Sequence, residues 1–251
     1  MSKIIAVANQ KGGVGKTTTS VNLSASLALN NRRVLIIDFD PQGMATIGLG
    51  KTKENKKGIY QALMNGVQIM DLVLPAELDN LYICPCSPEL AGFEAEIFPE
   101  EKRENRLKNT LNGIKSLFHY IFIDCPPSLS FLTINALAAA DSVLIPIQTE
   151  FFCMEGLPDL LRTLDEVRAY LNPSLHLEGI VLTMFDERTN LSKQVADEVR
   201  QSLGDIVFNS IIPRSVKLAE APGFGKPILL YDIKSKGAQS YLNLAREIIT
   251  K

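Results

Sequence analysis

Residues 9–20 read "NQKGGVGKTTTS", and this run decides the fold. Gly15-Lys16-Thr17 closes a phosphate-binding loop, but the usual G-x-x-x-x-G-K-[ST] spacing would put its first glycine at position 10, where the chain has Gln10. A second lysine, Lys11, stands instead at the mouth of the loop beside Gly12 and Gly13. Upstream, "KIIAVAN" (3–9) has the Ile, Val and Ala content of a buried strand; downstream, "TTTSVNLSASLALNN" (17–31) reads as a helix. A strand–loop–helix of this kind points backbone N–H groups and a helix N-terminus at phosphate oxygens. Lys11, Gly12, Gly13, Val14, Gly15, Lys16, Thr17 and Thr18 are the candidate nucleotide contacts: Lys16 for the β- and γ-phosphates, the Thr17 hydroxyl for Mg²⁺, Thr18 for a further oxygen contact. The competing account is a glycine-rich turn that binds nothing.

Working outward, apolar runs recur at 32–40 ("RRVLIIDFD"), 119–127 ("HYIFIDCPP"), 140–148 ("ADSVLIPIQ"), 177–185 ("LEGIVLTMF") and 205–213 ("DIVFNSIIP"), with helical patterns between them. Near-continuous apolar strands are buried on both faces, which predicts an α/β fold: a P-loop NTPase with a mostly parallel central sheet flanked by helices, in one domain over 1–251. Asp38, Asp40 and Asp124 close two of these strands. Carboxyl ends of parallel strands face the ligand crevice, where one Asp can hold Mg²⁺ directly or through water and another can orient an attacking water. A lone strand-end Asp is often only a helix cap; three beside a phosphate loop form a site.

Composition sets limits on function. The 251 residues are 46% hydrophobic, with a net charge of −2, so the chain is not a constitutively basic DNA-coating protein, and any DNA contact needs a local patch. Cys84, Cys86, Cys125 and Cys153 show no C-x-x-C spacing, which predicts free thiols in a reducing, cytoplasmic protein. "MSKIIAVANQ" is too short for a secretory leader, and no run approaches the ~18 apolar residues of a membrane span. The mixed-charge stretch "PEEKRENRLKN" (99–109) is expected to be a solvated helix face, and the lysine-rich "GKTKENKKG" (50–58) a surface loop. In the last segment, Ala238, Tyr241, Leu242, Ala245, Ile248 and Ile249 share a helical face whose opposite side lacks the basic residues of a lipid-binding helix; docking on the core is expected.

With these motifs in place the chain resembles the ParA/MinD group of deviant Walker A P-loop ATPases, and within it the chromosomal ParA (Soj) partition proteins. "KGGVGKT" (11–17) matches the deviant loop; "DFDPQG" (38–43) and "FIDCPPS" (122–128) resemble switch I and Walker B; "LTMFDERTNLSKQV" (182–195), "IIPRSVKLAEAP" (211–222) and "GKPILLYDIKSKGAQSYLNLAREI" (225–248) extend the likeness over the C-terminal half. The resemblance implies slow, partner-stimulated hydrolysis of ATP with Mg²⁺ in a homodimer that sandwiches two ATP molecules. Lys11 would reach the partner's phosphates, offsetting the repulsion of two facing triphosphates. It makes Lys11, Lys16, Asp40 and Asp124 the catalytic set, with Asp40 positioning the water and Asp38 and Asp124 supporting Mg²⁺ through water. Met184, Pro213 and Arg214 would adjoin adenine, although "IPR" is also compatible with an ordinary surface arginine.

The resemblance further implies sequence-independent DNA binding by the ATP dimer, through Arg188 and Lys217 with Lys193, Lys234 and Lys236 as neighbours; each alone reads equally as a solvated charge. It implies a ParB-like centromere-binding partner and a cytoplasmic, nucleoid-associated protein. Two positions depart from the pattern: Met44, where Asn is common, and Gly223, where Ser is common. The rival readings are a MinD-like ATPase on membranes, a cluster-carrying ATPase like the nitrogenase iron protein, which would need paired cysteines at the dimer face, and a small-molecule ligase on the same loop.

Overall fold

The computed structural model describes residues 2–52, 57–99 and 101–251. Eight strands form one sheet: β1 (Lys3–Val7), β2 (Val34–Asp38), β3 (Leu74–Pro75), β4 (Leu81–Cys84), β5 (Tyr120–Asp124), β6 (Ser142–Gln148), β7 (His176–Phe185) and β8 (Val207–Pro213). Their order is β3-β4-β2-β5-β1-β6-β7-β8. Every pair is parallel except the edge pair β3–β4. The six longer strands are those expected from the sequence. The "LYIC" strand was marked only by its apolar run, and β3 escaped because two exposed residues ending in Pro75 carry no strand pattern.

The helices are α1 (Lys16–Leu29), α2 (Met44–Gly48), α3 (Ile59–Met64), α4 (Phe93–Ile97), α5 (Arg106–Asn112), α6 (Phe131–Ala139), α7 (Leu157–Tyr170), α8 (Asn190–Leu203), α9 (Val216–Glu220), α10 (Ile228–Asp232) and α11 (Lys236–Thr250). Period-two alternation sorts the strand residues between two cores. Ile4, Leu35, Ile37, Ile121 and Ile123 face the layer that holds Leu63, Phe93 and Leu107. Ile5, Val34, Ile36 and Phe122 face the layer that holds Leu23, Leu27, Tyr241 and Leu244. This is the expected α/β architecture, a mostly parallel sheet flanked by helices.

Helix α11 docks on the second core, as its apolar stripe predicts. Ala238, Tyr241, Leu244, Ala245 and Ile248 are buried, while Leu242 and Ile249 lie at the margin, so the stripe is centred nearer Leu244 than the sequence suggested. The Tyr241 hydroxyl lies 3.2 Å from Thr19 Oγ1, joining α11 to the loop's own helix. The charged stretch departs from its reading as a solvated helix face. A short 3-10 turn over Arg103–Asn105 precedes the α-helix at Arg106, Leu107 is buried, and the Arg103 guanidinium covers the rings of Phe98 and Phe131 at 4.4 and 5.4 Å. The Arg103 charge thus lies over aromatic faces, which a count of charges does not reveal. Positions 53–56 of the lysine-rich loop lie outside the described residues. Among the described residues no helix is long and apolar enough to cross a membrane.

Candidate nucleotide site and basic surface

The loop of residues 8–15 joins β1 to α1 at the centre of the sheet. Gly13 and Gly15 have φ of +74° and +88°, a left-handed conformation open to glycine at little cost. The loop is pinned from three sides. Thr183 Oγ1 donates to Val14 O at 2.8 Å, Asn9 Nδ2 to Pro146 O at 2.8 Å, and Gln10 Nε2 to Gly156 O at 2.8 Å. Gln10, which stands where a standard loop has glycine, thus ties the loop to the segment after β6. Lys16 is buried, and its Nζ donates to Lys11 O at 3.1 Å, curling back over the loop. Burial pushes the Lys16 ammonium below its ordinary range, against the pull of Asp124 and Asp40.

Asp38 and Asp124 are register partners at the ends of β2 and β5, and both are fully buried. Asp38 Oδ2 accepts from the Thr46 N–H at 2.7 Å and the Thr46 hydroxyl at 2.5 Å; Asp124 Oδ1 accepts from the Ser20 hydroxyl at 2.8 Å. Asp38 Oδ1 and Asp124 Oδ2 are buried without a hydrogen-bond partner. Desolvation pushes Asp38 up to about 6, against the two Thr46 hydrogen bonds. Desolvation and then the Asp38 charge push Asp124 up to about 7, while the Ser20 and Thr17 hydroxyls pull it down. Two buried carboxylates with one lysine nearby leave the site short of positive charge. Two orphaned oxygens and the Thr17 hydroxyl suit a hard divalent cation that keeps much of its water, as Mg²⁺ does. Asp40 lies just past β2, buried, with Oδ1 accepting from the Gln42 N–H at 2.9 Å.

A cavity of about 300 Å³ opens beside the loop, lined by Gly15, Thr18, Met184, Pro213, Arg214 and Tyr241 among others. The three residues the resemblance assigned to adenine are therefore brought together next to the phosphate loop. Met184 takes a left-handed φ of +53°, and the Arg214 N–H donates to Phe185 O at 2.9 Å, locking the ends of β7 and β8. Val216, Leu218 and Ala219 also line it and were missed; the apolar positions soon after "IPR" were the available signal. Met44 stands at the start of α2, exposed, beside Thr17 and Thr18 at a smaller cavity. A side chain at Gly223 would meet nothing within 4 Å, so packing does not demand glycine there.

At the other side of the loop, Lys11 Nζ lies 4.0 Å from Glu150 Oε2. Phe151 and Phe152 follow, exposed, with edge-to-face rings 5.0 Å apart. Sequence reading passed over this "EFF", whose mark was two adjacent aromatics just past a strand end. All four cysteines are free and buried. Cys125 is wholly enclosed, its thiol pushed up by desolvation, so its sulfur is not presented at a surface where a shared cluster could form.

The five cations read as DNA candidates are all exposed. Arg188 and Lys236 line one cavity of about 270 Å³ together with Asp186, Glu187 and Arg214. Lys217 bonds Asp232, and Asp232 Oδ1 accepts from the Lys234 N–H at 3.0 Å. Lys193, on α8, is near enough to Glu187 to help hold its carboxyl below the usual range, after the larger effect of Lys236. The sequence presented these residues as free cations; the structure pairs Arg188 with Asp186, Lys217 with Asp232 and Lys236 with Glu187.

A family model described as "AAA domain" matches residues 2–177. The chain is 53% identical to the chromosome partitioning protein ParA of Myxococcus xanthus, over 100% of this chain and 89% of that protein. It is 51% identical to the sporulation initiation inhibitor protein Soj of Bacillus subtilis, over 99% and 98%. Among solved structures, cobyrinic acid a,c-diamide synthase from Mycobacterium smegmatis with bound ADP and magnesium superposes with a TM-score of 0.87 at 35% identity, covering 99% of this chain and 94% of that one. With its pinned deviant loop, paired strand-end carboxylates and full-length likeness, the chain belongs to the ParA/Soj family of P-loop partition ATPases.

Proposed function

We propose that this chain is an ATP-operated switch on DNA: ATP with Mg²⁺ closes two copies face to face, the dimer binds DNA without reading its sequence, and hydrolysis releases it. The observation that carries the reading is the loop itself, with Lys16 folded onto the Lys11 carbonyl beside two buried carboxylates that each lack a partner for one oxygen. The loop amides and Lys16 hold the triphosphate. Thr17, with Asp38 and Asp124 through water, would hold Mg²⁺, which supplies charge neutralisation for the transferred phosphoryl group. Asp40 orients a water toward the γ-phosphorus; as that oxygen bonds to phosphorus, the bond to the bridging oxygen of ADP breaks, and ADP and phosphate leave. Lys11, held only loosely at Glu150, is free to swing to a second copy's phosphates. Adenine occupies the cavity at Met184, Pro213 and Arg214.

In this reading residues 1–251 work as one ATPase domain, supported by a sheet that draws strands from Lys3 to Pro213 and by α11 packing back on α1. DNA contact falls to Arg188 and Lys217, with Lys193, Lys234 and Lys236 beside them. A ParB-like centromere-binding protein is the stimulating partner, and the protein works in the cytoplasm on the nucleoid. The decisive experiment measures binding to random-sequence duplex DNA with ATP, with ADP and without nucleotide. Binding restricted to ATP is expected; equal binding in all three states defeats the switch.

A further inference from the structure

The candidate DNA cations are not waiting empty. Arg188 lies side-on against Asp186, with Nε to Oδ1 at 2.9 Å and a terminal nitrogen to Oδ2 at 2.7 Å. Lys236 Nζ is 2.6 Å from Glu187 Oε1, and Lys217 Nζ bonds Asp232 Oδ2. The pairs are neighbours: Arg188, Lys236, Asp186 and Glu187 line the same cavity with Val216, Lys217 follows Val216 in α9, and its partner Asp232 ends α10 just before Lys236 in the chain. Their cationic side chains are 82%, 53% and 76% exposed for Arg188, Lys217 and Lys236. Ion pairs whose cation is this exposed contribute little to holding a fold together. Asp186 and Asp232, themselves 16% and 24% exposed, also hold the backbone N–H groups of Arg188 and Lys234, but those bonds do not require a cation beside the carboxylate.

The geometry of the pairs offers a reason for the cations. A carboxylate presents two oxygens to a guanidinium or ammonium much as a phosphate does. Arg188, Lys217 and Lys236 each already have such an acceptor, so a DNA phosphate that takes one of them must displace a carboxylate and then lie beside it. The Arg188 hydrogen bond also holds the Asp186 carboxyl well below the usual carboxylate range, so that pair persists through neutral pH.

We propose that Asp186, Glu187 and Asp232 are built-in competitors of DNA phosphate, setting the affinity of one protomer low enough that stable binding needs the surface of two. The inference rests on the reading of Arg188 and Lys217 as DNA contacts. In that reading a patch of lysines and arginines holds DNA only weakly as a monomer. Linking two weak patches multiplies their binding, and the competitors make each patch weak.

The test measures binding of fluorescent random-sequence duplex DNA against salt, with ATP and without nucleotide. Four proteins are compared: the parent, Glu187→Gln, the triple variant Asp186→Asn/Glu187→Gln/Asp232→Asn, and Arg188→Ala/Lys217→Ala. Glu187→Gln is the cleanest, because the Glu187 carboxylate bonds the Lys236 side chain, whereas Asp186 and Asp232 also accept backbone N–H groups of Arg188 and Lys234. Removing one screened like charge near a phosphate in each subunit tightens the ATP dimer by about 3-fold; the triple change gives about 10-fold or more, and measurable binding without nucleotide. If Arg188→Ala/Lys217→Ala weakens binding but the acid variants bind no tighter than the parent, the competitor role is overturned and these carboxylates only position the cations. If Arg188→Ala/Lys217→Ala binds like the parent, the DNA reading of this surface falls and the inference falls with it.

Discussion

Asp38 and Asp124 stand side by side at the ends of adjacent parallel strands, fully buried, each with one carboxylate oxygen satisfied by protein and one left without a partner. Two like charges enclosed together raise the cost of ionising either, and the cost falls when a cation joins them.

That pairing predicts a pH-dependent stability. A carboxyl raised in the folded state binds its proton more tightly there than in the unfolded chain. The stability it contributes is full below the ordinary carboxylate value of about 4 and is lost as pH rises through the folded values. With Asp38 at about 6 and Asp124 at about 7, the nucleotide-free protein should melt at progressively lower temperature from pH 5 to pH 8. Asp124→Asn should flatten the profile and raise the pH 8 melting temperature by about 2–4 °C for each kcal/mol recovered. Mg²⁺ with ATP should stabilise the parent more at pH 8 than at pH 6. A flat profile by calorimetry would mean that the pair carries no strain.

The two lysines of the loop should separate in experiment. Lys16→Ala removes a charge-assisted contact to the phosphates and should weaken nucleotide binding by about 10–100-fold, read by titration. Lys11→Ala should keep nucleotide binding by the monomer and lose the ATP-dependent dimer on sizing chromatography. An ATP dimer that survives Lys11→Ala would contradict the cross-subunit role.

Asp40→Ala should bind ATP, retain the dimer and turn over more slowly by roughly 100-fold or more, because the attacking water loses its orienting acceptor. Single-turnover hydrolysis at the parent rate would move that role to another residue.

The Gln10–Gly156 anchor gives a stability prediction. Gly156 has φ of +81°, and a Cβ there would meet Gln10 Nε2 at 2.0 Å. Gly156→Ala should cost about 1–3 kcal/mol from its left-handed backbone, with further loss from displacing Gln10. Adding Gln10→Ala should recover only the second part, and denaturant unfolding of both variants measures the split.

On DNA, losing one of Arg188 or Lys217 from both subunits of the dimer should flatten the slope of log K against log salt by roughly 2 units. Binding should remain indifferent to sequence, since phosphate contacts position a protein without reading bases. An unchanged slope would make them idle charges.

The sequence by itself determined what local pattern can carry. Gly13, Gly15, Lys16 and Thr17 act through backbone conformation and a helix start within a few residues, so the phosphate loop was legible at once. The apolar runs declared six strands, because strands buried on both faces leave no room for polar residues. Asp38, Asp40 and Asp124 were legible as strand ends. Only the tertiary structure decided how these groups stand to one another. It set Asp38 against Asp124 across 86 positions of chain, fastened Gln10 to Gly156 across 146, and closed a cavity from the ends of β7 and β8 over the first turn of α1. It also paired Lys236 with Glu187, which lies 49 positions earlier. Such contacts depend on strand order and crossover, and side-chain type reveals a charge without saying which opposite charge the fold will bring to it.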